Sequence, residues 1–209
     1  MFQRQIIFLQ KEHAYYHVPS IVVAPDGSIL AFCEERWRSP CDDTGECHIV
    51  MKKKHDCGRN WGNLIHLKRK QGEKYHMGSA VIEPTYGRLL LMCRGGYLQS
   101  RDNGDTWSDW NPSFHDTAGA TRGSTHGSAP GIVIQYGRYK GRIIWPARTI
   151  VSTNGYNDLS IPDRQTKCYS MALYSDDQGE SIQSSNFFLQ GTGEACLAER
   201  PNGDIYFNA

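Results

Sequence analysis

The chain has 209 residues, 39% of them hydrophobic, which is enough to bury a sizeable core. Its net charge of +1 lacks the basic excess of a nucleic-acid binder and gives no reason to expect an anionic membrane as partner. No window approaches the roughly 20 apolar residues of a membrane-spanning helix, and Met1–Leu9 has no apolar core of the kind a secretion signal needs.

In chain order the sequence reads as all-β. Ile6–Gln10, Ser20–Ala24 and Ile29–Cys33 are short apolar runs rich in β-branched residues, and Pro25-Asp26-Gly27-Ser28 turns between the last two. His13 and His17 stand four apart beside Glu12. Tyr15, Tyr16, Val18 and Pro19 make that segment extended, however, so the pair does not converge on one ion. His48–Met51, Leu64–Leu67, Ala80–Ile82 and Leu89–Cys93 continue the series, followed by Ile132–Gln135, Ile143–Pro146 and Tyr169–Tyr174. Lys52–Lys54 and Lys68-Arg69-Lys70 read as solvated strand edges. Asn111–Pro130 and Ser152–Lys167 read as long surface loops, and Ala195–Glu199 and Ile205–Asn208 form a last hairpin around Pro201-Asn202-Gly203-Asp204. No amphipathic helix stands out. The seven cysteines are an odd number with no Cys-x-x-Cys pair. They fall mostly in apparent strands, as at Cys33, Cys93, Cys168 and Cys196, which predicts reduced, buried thiols in a cytoplasmic protein. Cys41, Cys47, His48 and Cys57 lack the usual metal-ligand spacing, so no metal is expected.

One turn recurs. Ser100-Arg101-Asp102-Asn103-Gly104-Asp105-Thr106-Trp107 has a hydroxyl and a carboxylate placed to accept from turn amides, a glycine for the positive φ, and an indole to pack beneath the turn. Lys54-His55-Asp56-Cys57-Gly58-Arg59-Asn60-Trp61 keeps the Asp, Gly and Trp. Ser175-Asp176-Asp177-Gln178-Gly179-Glu180-Ser181-Ile182 keeps the Ser, Asp and Gly. Self-similarity at roughly 40–50 residues is the mark of propeller blades. The Asp102 to Asp177 spacing is longer, predicting an inserted loop or a blade without the motif.

This motif is the Asp box, and the chain resembles the sialidase (neuraminidase) superfamily. The resemblance implies a six-bladed β-propeller in which the boxes lie far from the catalytic face and carry no chemistry. A complete one needs on the order of 300–350 residues, so residues 1–209 are expected to form one partial propeller domain of about three to four blades.

Tyr16-His17-Val18-Pro19 is similar to the family's Tyr/Phe-Arg-Ile-Pro, whose arginine is the first of three that clamp the substrate carboxylate. A guanidinium grips a carboxylate with two parallel bonds; His17 in that place offers one, and only when protonated. The resemblance therefore implies a substrate-binding His17 with a changed substrate or a degenerate site, the alternative being an ordinary strand residue. Ala31-Phe32-Cys33-Glu34-Glu35-Arg36 followed by Asp42-Asp43-Thr44-Gly45 resembles the family's A-F-A-E-x-R and its loop D-x-G. That implies Asp43 as general acid/base, with Asp42 as the alternative, and Arg36 as a contact to substrate oxygens, the alternative for Arg36 being a surface salt bridge. Gly127–Gln135 and Gly141–Ala147 look like the family's glycine–proline loop and following strand, with Arg148 and Thr149 where tyrosines often stand.

Gly193–Ala209 resembles E-x-x-x-x-E-x-x-D/N-G-x-x-x-x-N-A-R. By that resemblance Glu194 takes the proton of a tyrosine nucleophile and Glu199 supports it. The motif's arginine and the tyrosine would follow Ala209, so the chain reads as the N-terminal portion of such an enzyme. The implied activity is a retaining exo-glycosidase acting on a glycan that ends in sialic acid or a related acidic sugar, without metal or organic cofactor. A non-catalytic carbohydrate-binding propeller is one alternative. A polysaccharide lyase with His17 or His126 as base is another.

Overall fold

The computed structural model describes residues 4–41, 44–55, 60–111, 129–152, 155–156 and 167–209. Asp42, Asp43, the box residues Asp56 and Gly58, and His126 lie outside them. Among the described residues the fold is all-β, built as consecutive antiparallel sheets. The first runs β1 (Ala14–Val23), β2 (Ile29–Trp37), β3 (Glu46–Lys54), β4 (Ile65–Lys68) in spatial order. The second is β5 (Met77–Glu83), β6 (Arg88–Cys93), β7 (Gly96–Ser100). The third is built on β8 (Ile132–Val133), β9 (Ile143–Ser152), β11 (Cys168–Ser175) and β12 (Gln183–Ser184). β10 (Gly155–Tyr156) extends it as a hairpin on β9, and β13 (Phe188–Gln190) pairs with β11. β14 (Cys196–Glu199) and β15 (Ile205–Asn208) form a fourth, two-stranded sheet. Three blades and the first hairpin of a fourth match the expectation from the repeat.

Strand alternation builds the core. Successive side chains of a strand point to opposite faces, so a strand between two neighbouring sheets is apolar throughout. β6 is such a strand. Leu89, Leu91 and Cys93 join Leu30, Phe32, Ile49 and Met51 of the first sheet. Leu90 and Met92 join Ile143, Trp145, Met171 and Leu173 of the third.

The two described turn motifs share one hydrogen-bond pattern. Gly104 N donates to Ser100 Oγ (2.9 Å), and Thr106 N and Oγ1 donate to the Asp102 carboxylate (2.8 and 2.5 Å). Gly179 N, Ser181 N and Ser181 Oγ repeat these bonds to Ser175 and Asp177 (2.7, 2.9 and 2.6 Å). Each turn also locks onto the preceding sheet. Gly104 (φ +86°) lies against Leu30 and Gly179 (φ +90°) against Leu90, both on second strands, so closely that a Cβ would collide. The residue after each glycine pairs with a buried cation of that sheet: Asp105 with Lys53 and Glu180 with Arg88, both at 2.7 Å. Trp107 sets its edge on Phe32, with centroids 5.7 Å apart.

The structure corrects several expectations. Ile6–Gln10 is not a strand and pairs with no strand among the described residues. Lys53 is buried in its ion pair rather than solvated. The region after Pro146 begins as strand, since β9 continues to Ser152 and turns into β10. Among the described residues the turns at Asp102 and Asp177 belong to consecutive sheets, which favours an insertion over an extra blade as the source of the longer spacing. Cys33, Cys93 and Cys168 are buried and form no disulfide among the described residues, as expected, whereas Cys196 is exposed on its two-stranded sheet. No helix among the described residues is long and apolar enough to cross a membrane.

Candidate functional site

The pairing of β1 with β2 places His17 opposite Glu34, Tyr16 opposite Glu35 and Tyr15 opposite Arg36. Residues two apart share a face, so His17, Glu34 and Arg36 belong to one side of the ribbon and Tyr16 and Glu35 to the other. The ladder breaks between His17 and Ser20. Val18 takes φ 51° there, a left-handed conformation that a β-branched residue adopts at a cost of about 1–3 kcal/mol. Bulges of this kind re-aim side chains beside functional sites. His17 and Tyr16 border a cavity of about 570 Å³, together with Phe8, Ile21, Cys33 and Pro130, a size typical of small-molecule sites.

Glu34 is the structural anchor. Its Oε2 accepts from Arg36 Nε (2.8 Å) and faces Nη2 at 2.7 Å, while Oε1 accepts from Met77 N (2.9 Å) and meets His76 Nδ1 at 3.3 Å. Burial alone would push this carboxyl up; the hydrogen bonds and charges of His76 and Arg36 outweigh burial and hold it below the usual carboxylate range. Sequence reasoning passed over Glu34 and His76. The signal was a glutamate in phase with Leu30 and Phe32 on the face that becomes core.

The loop after β2 is tied at its base. Arg36 Nη1 donates to Pro40 O (2.7 Å), Arg38 N to His13 O (2.7 Å), and Thr44 Oγ1 to Ser39 Oγ (2.5 Å). Gly45 closes the loop at φ +80°, where any side chain would run into the Trp37 carbonyl. Asp43 and Asp42 belong to this loop and lie outside the described residues. Arg36 is buried and committed to Glu34 and Pro40, so it fixes the root of the loop that bears Asp43.

Glu194 is exposed, two residues before the start of β14. Arg148 of β9 reaches the same place, since a Cβ on Gly193 would sit 3.2 Å from its Nη1. Glu199, expected to support Glu194, instead clasps a turn of the third sheet, accepting from Gln135 N (2.7 Å) and Tyr136 N (2.9 Å). The structure thus joins His17 and Arg36 through Glu34. Glu194 takes no part in the hydrogen bonds described for that group.

No protein-family model matches the chain. In sequence it is similar to sialidases. One from Clostridium perfringens is 26% identical over 201 residues, covering 82% of this chain and 49% of the relative. One from Paraclostridium sordellii is 23% identical, covering 92% of this chain and 54% of the relative. The chain thus spans about half the length of these curated relatives. Among solved structures, a Hadza microbial sialidase shares the fold with a TM-score of 0.72 at 17% identity, covering 92% of this chain and 41% of that one. The sheets described above are therefore part of a sialidase-type propeller.

Proposed function

We propose, from the chain's similarity to sialidases, that it forms part of a retaining exo-glycosidase that removes a terminal sialic acid or a related acidic sugar. The observation that carries this reading is the setting of His17 and Arg36 on one face of the β1–β2 pair, at the root of the loop that bears Asp43. Asp43 protonates the leaving oxygen and later activates water, with Asp42 as the alternative. Glu194 takes the proton of a tyrosine nucleophile in the remainder of the protein, because a phenol of pKa about 10 needs such a partner near neutral pH. A neutral nucleophile also approaches an anomeric carbon that bears a carboxylate without charge repulsion. His17 meets the sugar carboxylate through one charge-assisted bond when protonated, and Arg36 contacts substrate oxygens while holding the loop root. The repeated Ser-Asp turns serve as Asp boxes and bind no substrate.

The test is Asp43→Asn in the natural-length protein, assayed on a fluorogenic sialoside. Loss of an acid/base group predicts a fall in kcat of about 10²- to 10⁴-fold; undiminished turnover would remove Asp43 from the mechanism. His17 in place of an arginine favours a second reading, glycan binding without turnover. Saturable binding of a sialoside that the wild-type protein never hydrolyses would select it.

A further inference from the structure

The other face of β2 carries a cluster the proposed reaction does not use. Glu35 on β2, His48 on β3 and His66 on β4 come from three adjacent strands. Glu35 pairs directly with His48 across the ladder, and His66 pairs with Val50, two residues along the same face. Glu35 Oε2 lies 3.4 Å from His48 Nδ1 and 2.7 Å from His66 Nε2, and the three ligand atoms fall within 4.8 Å of one another. Two ligands of a tetrahedral ion with bonds of about 2.0–2.1 Å stand about 3.3–3.4 Å apart, so small side-chain shifts place all three around one ion.

The surroundings suit that role. Metal-bound imidazoles present their second N–H to a carboxylate, and bound carboxylates are themselves held by donors. His48 Nε2 is buried, makes no hydrogen bond, and faces Glu46 Oε2 at 3.3 Å. If Nδ1–H donates to Glu35, the bare Nε2 lone pair confronts a second acceptor. An ion on Nδ1 moves the proton to Nε2, which a small rotation of the Glu46 side chain would bring into line with Oε2, 3.3 Å away. Tyr16 Oη donates to Glu35 Oε1 (3.2 Å) and Phe8 stacks on Tyr16, fixing the carboxylate. His66 is partly exposed and gives the ion a way in.

A second cluster, Glu34, Cys47 and His76, has similar composition. There the carboxylate is already saturated by Arg36, His76 and Met77 N, and Cys47 Sγ donates to the Tyr75 carbonyl (3.2 Å).

We propose that Glu35, His48 and His66 form a site for one divalent transition-metal ion, Zn²⁺ in the first instance, which staples β2, β3 and β4 together and leaves at least one coordination position open to solvent.

The test takes the natural-length protein stripped with a chelator and titrated with ZnCl₂ by calorimetry, and with CoCl₂ by visible absorption. One equivalent of Zn²⁺ should bind and raise the Tm, and Co²⁺ should show ligand-field bands without thiolate charge transfer. His66→Gln, at a partly exposed position that leaves the fold intact, should weaken Zn²⁺ at least 100-fold. Glu46→Gln should weaken it about 10- to 100-fold, and Cys47→Ala should leave it unchanged. No Zn²⁺ bound by the wild-type protein would overturn the proposal. Binding that survives His66→Gln, or a thiolate band lost in Cys47→Ala, would overturn it equally by placing the ion elsewhere.

Discussion

Gly104→Ala separates two costs that a glycine at positive φ usually hides. At φ +86° an alanine pays a left-handed backbone penalty of about 1–2 kcal/mol. Its Cβ would also collide with the Leu30 side chain in the first sheet, and overpacking of that kind adds about 1–3 kcal/mol. Gly27 is the internal control: its φ is +83°, yet nothing lies within 4 Å of a Cβ built there. Urea denaturation should therefore show Gly27→Ala losing about 1–2 kcal/mol and Gly104→Ala about 2–5 kcal/mol with the m-value unchanged. At about 2–4 °C per kcal/mol for a domain of this size, Gly104→Ala should lower Tm by at least about 4 °C. Adding Leu30→Ala makes room for the methyl, so the double variant should be more stable than the two single losses summed. A Gly104→Ala loss no larger than that of Gly27→Ala, or strict additivity with Leu30→Ala, would refute the claim that this turn is locked against the neighbouring sheet.

Two further expectations concern charged groups. Glu34→Gln leaves the buried Arg36 guanidinium without its counter-charge and should cost about 3–5 kcal/mol in denaturant titration; a loss under about 1 kcal/mol would show that Glu34 is not the anchor. Asp102 is held down to about 2 by the Thr106 hydroxyl, the Thr106 amide and the Ser100 hydroxyl, against an ordinary value of 3.8. A depressed carboxylate stabilises fully above its unfolded pKa and loses that contribution as pH falls through its folded one. The Tm gap between wild type and Asp102→Asn should thus be constant from pH 7 to about 4, then close toward pH 2. A gap that stays constant from pH 6 to 3 would contradict the hydrogen-bond assignment.

The sequence by itself determined the class of fold and its repeat. Period-two apolar runs, glycine-centred turns and the spacing from Asp56 to Asp102 need only local physics, and strands and turns formed largely where those signals stood. It also marked His17, Arg36, Asp43 and Glu194, because family motifs are contiguous strings. Pairing across strands decided the rest. The sequence places Glu34 and Glu35 side by side, but strand alternation sends one to Arg36 and His76 and the other to His48 and His66. Linear ligand spacing gave no metal site, because these ligands lie on β2, β3 and β4 and meet only through ladder register and the irregularity between Ile49 and Val50. Lys53 reads as a surface lysine until the turn of the next sheet brings Asp105 to it. Burial, partnership and charge state are properties of the packed sheets, since each depends on a residue that is distant in the chain and adjacent only after blades stack.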